Sequence, residues 1–302
     1  MTSSTNKKLF DPVKIEPWLY LSPAILLYAL ILFYPVIQSI VLSFYKWDGM
    51  SAFKEFTGFN NYRILFFKDP VFWISLKNNT IFMVTFLLVT NSVCLALALI
   101  LNRPFSGRVV FRGIFYFPYV ISMIAVALIW GWMYHPQLGL INELLRAVGL
   151  ESLGRTWLGD LKTAFASVIV TASWKAIGIG MVFFLSGLQT LPVSPYESAK
   201  LDGANAIQSF FYLTIPFLRE TFVIVITLTV ISSFKVFDVV YAMTWGGPMR
   251  ATNVLATWMY FQSFRNHNAG SGTAIATLLV IIMCAIAIPY IMLMSRRSVS
   301  SQ

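Results

Sequence analysis

Three charged side chains interrupt the apolar runs of this sequence: Lys175, Lys235 and Asp238. A charge near a bilayer centre costs about 2.5–3.5 kcal/mol on insertion scales, so such a residue normally faces a cavity or a partner. Lys235 and Asp238 stand three apart and would share one helix face. They could neutralise each other, or they could form a polar cavity wall. Thr227, Thr229, Ser232 and Ser233 make the same stretch hydroxyl-rich, which suits a wall and helix packing equally. Lys175 follows Trp174 and precedes Gly178 and Gly180. The glycines would let a second backbone approach, the indole offers an aromatic platform, and the ammonium is a candidate substrate or gate contact. This is binding chemistry. The sequence has no G-x-x-x-x-G-K-[ST], no H-E-x-x-H and no G-x-S-x-G. His135 and His267 stand singly in connecting segments and read as solvated residues, so no metal and no cofactor is expected on this chain. Uphill movement would have to draw on a partner or on an ion gradient.

The segment 191–220, LPVSPYESAKLDGANAIQSFFYLTIPFLRE, is the longest polar interruption between apolar runs. Ser194-Pro195-Tyr196-Glu197 has the spacing of a capping box with proline at the first helical position. Gly203 can take the left-handed conformation that ends a helix. Ile207, Phe210, Phe211 and Ile215 then mark an amphipathic run that Pro216 should stop. A simple turn needs only a few polar residues. This segment predicts a helix-turn-helix shaped for a partner to grip. Tyr196, Ala199, Lys200 and Gly203 fall at i, i+3, i+4 and i+7, and the two small residues permit close approach.

Across the whole chain, 58% of the 302 residues are hydrophobic, 11% are charged, and the mean hydropathy is +0.73. Soluble domains average about 45–50% apolar and 25% charged. The composition therefore predicts an all-α membrane protein. Six transmembrane helices are expected near Trp18–Phe44, Thr80–Leu101, Gly113–Tyr134, Thr163–Leu185, Thr221–Met243 and Ala274–Met294. The first run is too long for a signal-peptide core and reads as an uncleaved span. The expected organisation is an N-terminal tail over 1–17, a membrane domain over 18–295 and a C-terminal tail over 296–302. Basic residues divide evenly between the two sides. Arg103, Arg108 and Arg112 are nonetheless densely placed, and the first span has a basic N-terminal flank at Lys7, Lys8 and Lys14. Both termini and the 191–220 segment are accordingly expected in the cytoplasm. The net charge of +10 is spread over loops without a basic face, which fits anionic lipid and excludes a nucleic-acid footprint. Cys94 and Cys284 lie inside apolar runs and suggest neither a disulfide nor a metal site. Short interfacial helices are expected over 56–62 with 69–73, and over 139–148, and a turn at Trp245-Gly246-Gly247-Pro248.

The spacing Glu197-Ser198-Ala199, Gly203, Leu213-Thr214-Ile215-Pro216 resembles the E-A-A…G…I-x-L-P loop signature of the permease subunits of binding-protein-dependent ABC importers, within them the sugar permeases related to the larger maltose-transporter permease. Ser198 replaces an alanine, and Leu213 and Ile215 exchange aliphatics. Arg103-Pro104, Phe111-Arg112 through Phe117-Pro118-Tyr119, and Trp245-Gly246-Gly247-Pro248 extend the resemblance over about 18–295. It implies a type I, maltose-permease-like architecture in a bacterial inner membrane, with a cytoplasmic coupling helix. The implied partners are a second permease, in family habit a different chain forming a heterodimer, two ATPase subunits carrying ATP and Mg, and an extracytoplasmic solute-binding protein. This chain itself would be no enzyme, and its cargo would be a sugar, oligosaccharide or polyol. Tyr196, Glu197, Ala199, Lys200 and Gly203 would meet an ATPase subunit. Laid without gaps from Glu197, the family's sugar-site positions fall on Lys175, Ala176, Ile179, Thr229, Ser232, Ser233 and Val236, to which the polar pattern adds Trp174 and Asp238. Trp174 and Phe234 could stack on a sugar face. The competing class is an ion-coupled secondary transporter using Lys235 and Asp238. It would carry inverted repeats or paired broken helices, and neither is visible in the sequence. A membrane-embedded enzyme would need clustered histidines or carboxylates at one depth, and Asp238 stands alone.

Overall fold

The computed structural model describes residues 12–299, with the backbone alone for 12–19 and 293–299. Residues 1–11 and 300–302 of the two expected tails, including Lys7 and Lys8, lie outside the described residues. In lipid a backbone N–H or C=O has no water to pair with, so an apolar run satisfies itself by becoming a helix. Among the described residues, four helices are long and apolar enough to cross a membrane: Tyr20–Leu42, Pro70–Asn102, Ala164–Gln189 and Ala269–Met292. Two bent pairs bring the number to six if each is one crossing: Arg108–Val120 with Met123–Met133, bent by 100°, and Ala206–Phe217 with Arg219–Phe234, bent by 68°.

Two expected spans are interrupted. The third span stops at Ile121, which is extended at φ −70° and ψ 140°. Ser122 then caps Met123–Met133, its Oγ accepting from the Ala125 N–H at 3.3 Å. Pro118 has already removed one backbone donor from the first half. The fifth span ends at Phe234 and resumes as Asp238–Thr244. Lys235 and Asp238 thus flank a break and do not share a helix face. No ion pair joins them; among the described residues the ion pairs are Arg146–Glu143 and Arg155–Asp160.

The loops change two further expectations. Asp69 accepts from the Val71 and Phe72 N–H groups and starts the helix from Pro70, so 69–73 opens the second span and forms no separate interfacial helix. Before it lie a two-residue β-ribbon pairing Tyr45 with Phe56 and a short helix at Asn60–Phe67. Pro216 is the next-to-last residue of the continuous helix Ala206–Phe217, so the expected stop falls at Leu218, two residues later than the proline itself. The amphipathic piece after Gly139 is present as Leu140–Ala147.

The second span ties the bundle together, contributing to three apolar clusters. Phe72 packs with Leu255, Trp258 and Ile275. Phe82 and Phe86 pack with Val168, Ile169 and Val239. Cys94, Ala98 and Leu101 pack with Met181, Phe184 and Val225. The fourth span lies close on both neighbours because of its glycines. A Cβ at Gly178 would stand 2.6 Å from the Phe115 carbonyl oxygen and 2.9 Å from the Tyr116 Cα, and one at Gly180 would meet the Cys94 sulfur at 2.5 Å.

Gly178→Ala should therefore destabilise the chain by about 1–3 kcal/mol, since backbone cannot step aside as a side chain can. Gly131→Ala, with nothing within 4 Å, should leave the melting temperature unchanged or raise it. Thermal melts of the two variants in detergent check this difference.

Candidate functional site

A cavity of about 580 Å³ opens between the second, fourth and fifth spans and the bend of the third. Its wall includes Lys175, Ala176 and Ile179 from the fourth span, and Thr229, Ser232, Val236 and Asp238 from the fifth. Seven of the nine residues read from sequence as substrate pathway are therefore together. Two are elsewhere. Trp174 turns away to pack edge-on against Trp130 at 5.6 Å. Ser233 is fully buried, its hydroxyl donating to the Thr229 carbonyl at 2.7 Å. Phe234 is buried as well, so the stacking surfaces expected of Trp174 and Phe234 are not on this wall. The rings that are there include Phe82, Phe86, Tyr119 and Phe237.

Each break is held by a polar side chain from an unbroken span. Asn79, fully buried on the second span, donates to the Ser233 carbonyl at 3.0 Å at the end of the fifth-span helix. Its Oδ1 accepts from the Leu255 N–H at 2.7 Å at the start of another helix. Asn78 beside it donates to the Ala251 and Asn253 carbonyls at 2.8 Å. Asn91, further along the same span, faces the cavity; its Oδ1 lies 3.3 Å from the Thr229 hydroxyl, and its amide nitrogen is buried without a partner. None of these asparagines is among the residues expected from sequence, where the three charges drew attention. Amides inside a span carry the same signal at lower cost.

The 194–217 segment folds as a helix-turn-helix. Ser194–Leu201 ends at Gly203, whose φ of +82° is the left-handed turn. The capping box expected at Ser194 does not form: Ser194 is already the first helical residue, and Val193 precedes it with no side-chain bond. A capping box forms one helix later, where Asn205 and Gln208 bond each other's N–H at 2.8 Å. Tyr196 acts as an internal strut, its hydroxyl 3.1 Å from that of Thr214. Ala199 is half-buried, whereas Glu197, Lys200 and Gly203 are exposed. Leu201 is 89% exposed and Ile207 69%, with Phe211 and Tyr212 also bare.

A helical bundle with two broken spans around a cavity, carrying a surface helix-turn-helix with uncovered apolar side chains, is a membrane transport subunit. The chain belongs to the family described as the binding-protein-dependent transport system inner membrane component, whose model matches residues 89–300. It is 38% identical over 277 residues to the Probable ABC transporter permease protein of Bacillus subtilis (strain 168), covering 91% of this chain and 94% of that one. To the sulfoquinovosyl glycerol transport system permease protein of Agrobacterium fabrum it is 34% identical over 274 residues, covering 89% and 87%. Its fold matches a bacterial alginate ABC transporter, solved in complex with an alginate pentasaccharide-bound periplasmic protein, at a TM-score of 0.81 and 22% identity, over 94% of this chain and 96% of that one. The chain is thus a permease subunit of a binding-protein-dependent ABC importer, and family membership sets aside the secondary-transporter reading.

Asn79→Leu should strip the partners from two buried backbone groups, at about 1–3 kcal/mol for each. A clearly lowered melting temperature is the expected result, with Asn79→Asp, which keeps the acceptor, falling between this variant and the native chain.

Proposed function

We propose that this permease forms half of the pathway for a carbohydrate: a sugar, an oligosaccharide or a polyol. The observation that carries the reading is the cavity wall, where hydroxyl and amide groups from two spans stand beside aromatic rings. That is the mixture a polyhydroxylated ring with apolar faces requires. The sulfoquinovosyl glycerol permease and the alginate transporter support it, since both are named for sugar-based cargo. A second permease of different sequence completes the pathway, and a solute-binding protein delivers the cargo from outside. Two ATPase subunits hold ATP and Mg. This chain holds no cofactor and catalyses no reaction. Both termini lie in the cytoplasm of a bacterium, beneath its inner membrane, so the 191–220 segment faces the ATPase.

Coupling runs through the helix from Ser194 to Leu201. Glu197 and Lys200 present charge, Gly203 gives an open surface with nothing within 4 Å of where a Cβ would stand, and Leu201 and Ile207 present apolar area. Exposed apolar side chains of this kind on a polar loop mark a docking face. Since Glu197 closes no capping box, its carboxylate is free for the partner.

The complex, purified with its ATPases and reconstituted, should hydrolyse ATP faster when the liganded binding protein is added. Uptake that follows a proton or sodium gradient and ignores ATP would overturn the assignment. In the same assay Gly203→Asp should abolish stimulation by placing a side chain and a charge on the docking face. Glu197→Gln should reduce it less. A thermal-shift screen of the cognate binding protein across sugars and polyols identifies the cargo.

A further inference from the structure

The geometry points to Lys175 as a positioning residue that clamps the bend of the third span to the fourth, rather than as a ligand for the cargo. Its ammonium donates to the carbonyls of Tyr119 and Ile121, each at 2.6 Å, and lies 5.0 Å from the centre of the Tyr119 ring. These carbonyls sit at the open end of Arg108–Val120, where the last turn has no following N–H groups and the helix dipole is negative. An ammonium has three N–H donors, and two are committed here. No carboxylate shares the charge, for among the described residues the ion pairs lie elsewhere, at Arg146–Glu143 and Arg155–Asp160. A cation from one span therefore serves as the missing end of another.

The surrounding packing fits this role. Gly178, one turn along the same helix face, lets the Phe115–Tyr116 backbone lie directly on the fourth span, which brings the broken end within reach of the lysine stem. Tyr119 and Met123, on either side of the bend, both line the cavity beside Lys175. The clamp thus fixes the shape of one cavity wall, and it ties that wall to the fourth span, whose other end leads into the coupling segment. With the clamp in place, movement of the fourth span carries the bend along. Without it, the bend and the ATPase would lose their mechanical link. The inference rests on the chain's being an importer permease and not on the identity of the cargo.

Lys175→Met, Lys175→Gln and Lys175→Arg in the assembled complex test it, with a Met123→Cys reporter labelled by a membrane-impermeant thiol reagent and the native cysteines alone as background. Labelling is read without any cargo, so a wrong cargo class leaves that result intact, and ATP hydrolysis is read with and without the liganded binding protein. Lys175→Met is expected to lower binding-protein stimulation of ATP hydrolysis by at least about fivefold and to change the labelling rate at position 123 by a similar factor. Lys175→Arg, which can reach both carbonyls, should restore most of each. If Lys175→Met does not assemble, Lys175→Gln, which can serve a carbonyl without charge, should give an intermediate labelling rate. Unchanged labelling and stimulation in the variants overturn the clamp. So does a variant whose only change is the KM for transport, which would mark Lys175 as a cargo contact.

Discussion

Every backbone group at membrane depth needs a partner, and a broken span exposes several at once. The architecture of this chain follows from how it meets that constraint. An unbroken helix hides its N–H and C=O groups but offers no polar interior. Breaking two spans creates one, and each break then needs an external donor. Lys175 supplies it for the third span and Asn79 for the fifth. The cavity lies between these two repaired breaks, with wall residues from both. Two polar residues that look out of place in the hydropathy pattern, Lys175 and Asn79, hold the backbone that shapes the cavity.

The same constraint separates the frame of the bundle from its surface segment. The second span has no break, enters three apolar clusters and carries both asparagines that staple its neighbours. It reads as the frame. The 191–220 segment is the opposite: its two helices are joined through a left-handed Gly203, and Tyr196 links them, its hydroxyl beside that of Thr214 and its ring against Phe217. A segment with such exposed apolar side chains gains order by docking, which suits the contact with an ATPase proposed for it.

Much of this was legible in the sequence. Long apolar runs located the four helices long enough to cross and fell on both bent pairs, and the Glu197–Gly203 spacing located the helix-turn-helix and its left-handed end. The breaks were not legible. Gly113–Tyr134 is apolar nearly throughout, and in Thr221–Met243 the two charges that flank the break, Lys235 and Asp238, read equally well as one helix face; hydropathy scores composition with no term for a side chain on a distant span that can cap an interrupted helix. Lys175 lies 54 residues from the Ile121 carbonyl it serves. The 69–73 error had a local origin: aromatic residues after Asp-Pro resemble an interfacial helix, yet Asp69 and Pro70 are also an ordinary helix start. Trp174 was misplaced because a helix turns by about 100° per residue. Adjacent to Lys175 in sequence, it points to a different face and meets Trp130.

The hydrogen-bond geometry of the wall bears on how a hydroxylated cargo would be handled. A hydroxyl has one proton and two lone pairs. The Thr229 proton lies toward the Val225 carbonyl at 2.7 Å, and that of Ser232 toward the Thr229 carbonyl at 3.0 Å. Two donors of Lys175 are occupied at the bend. What these groups still offer a ligand is mainly acceptors, set among Phe82, Phe86, Ile179 and Val236. Lys235, exposed on the same wall, adds an ammonium as the main donor to a ligand's oxygens. Passage requires binding strong enough to admit a cargo and weak enough to release it. A lining that spends the donors of Lys175, Thr229 and Ser232 on its own backbone meets that requirement. It leaves tight discrimination between sugars to a separate receptor, in keeping with a family defined by its dependence on a binding protein.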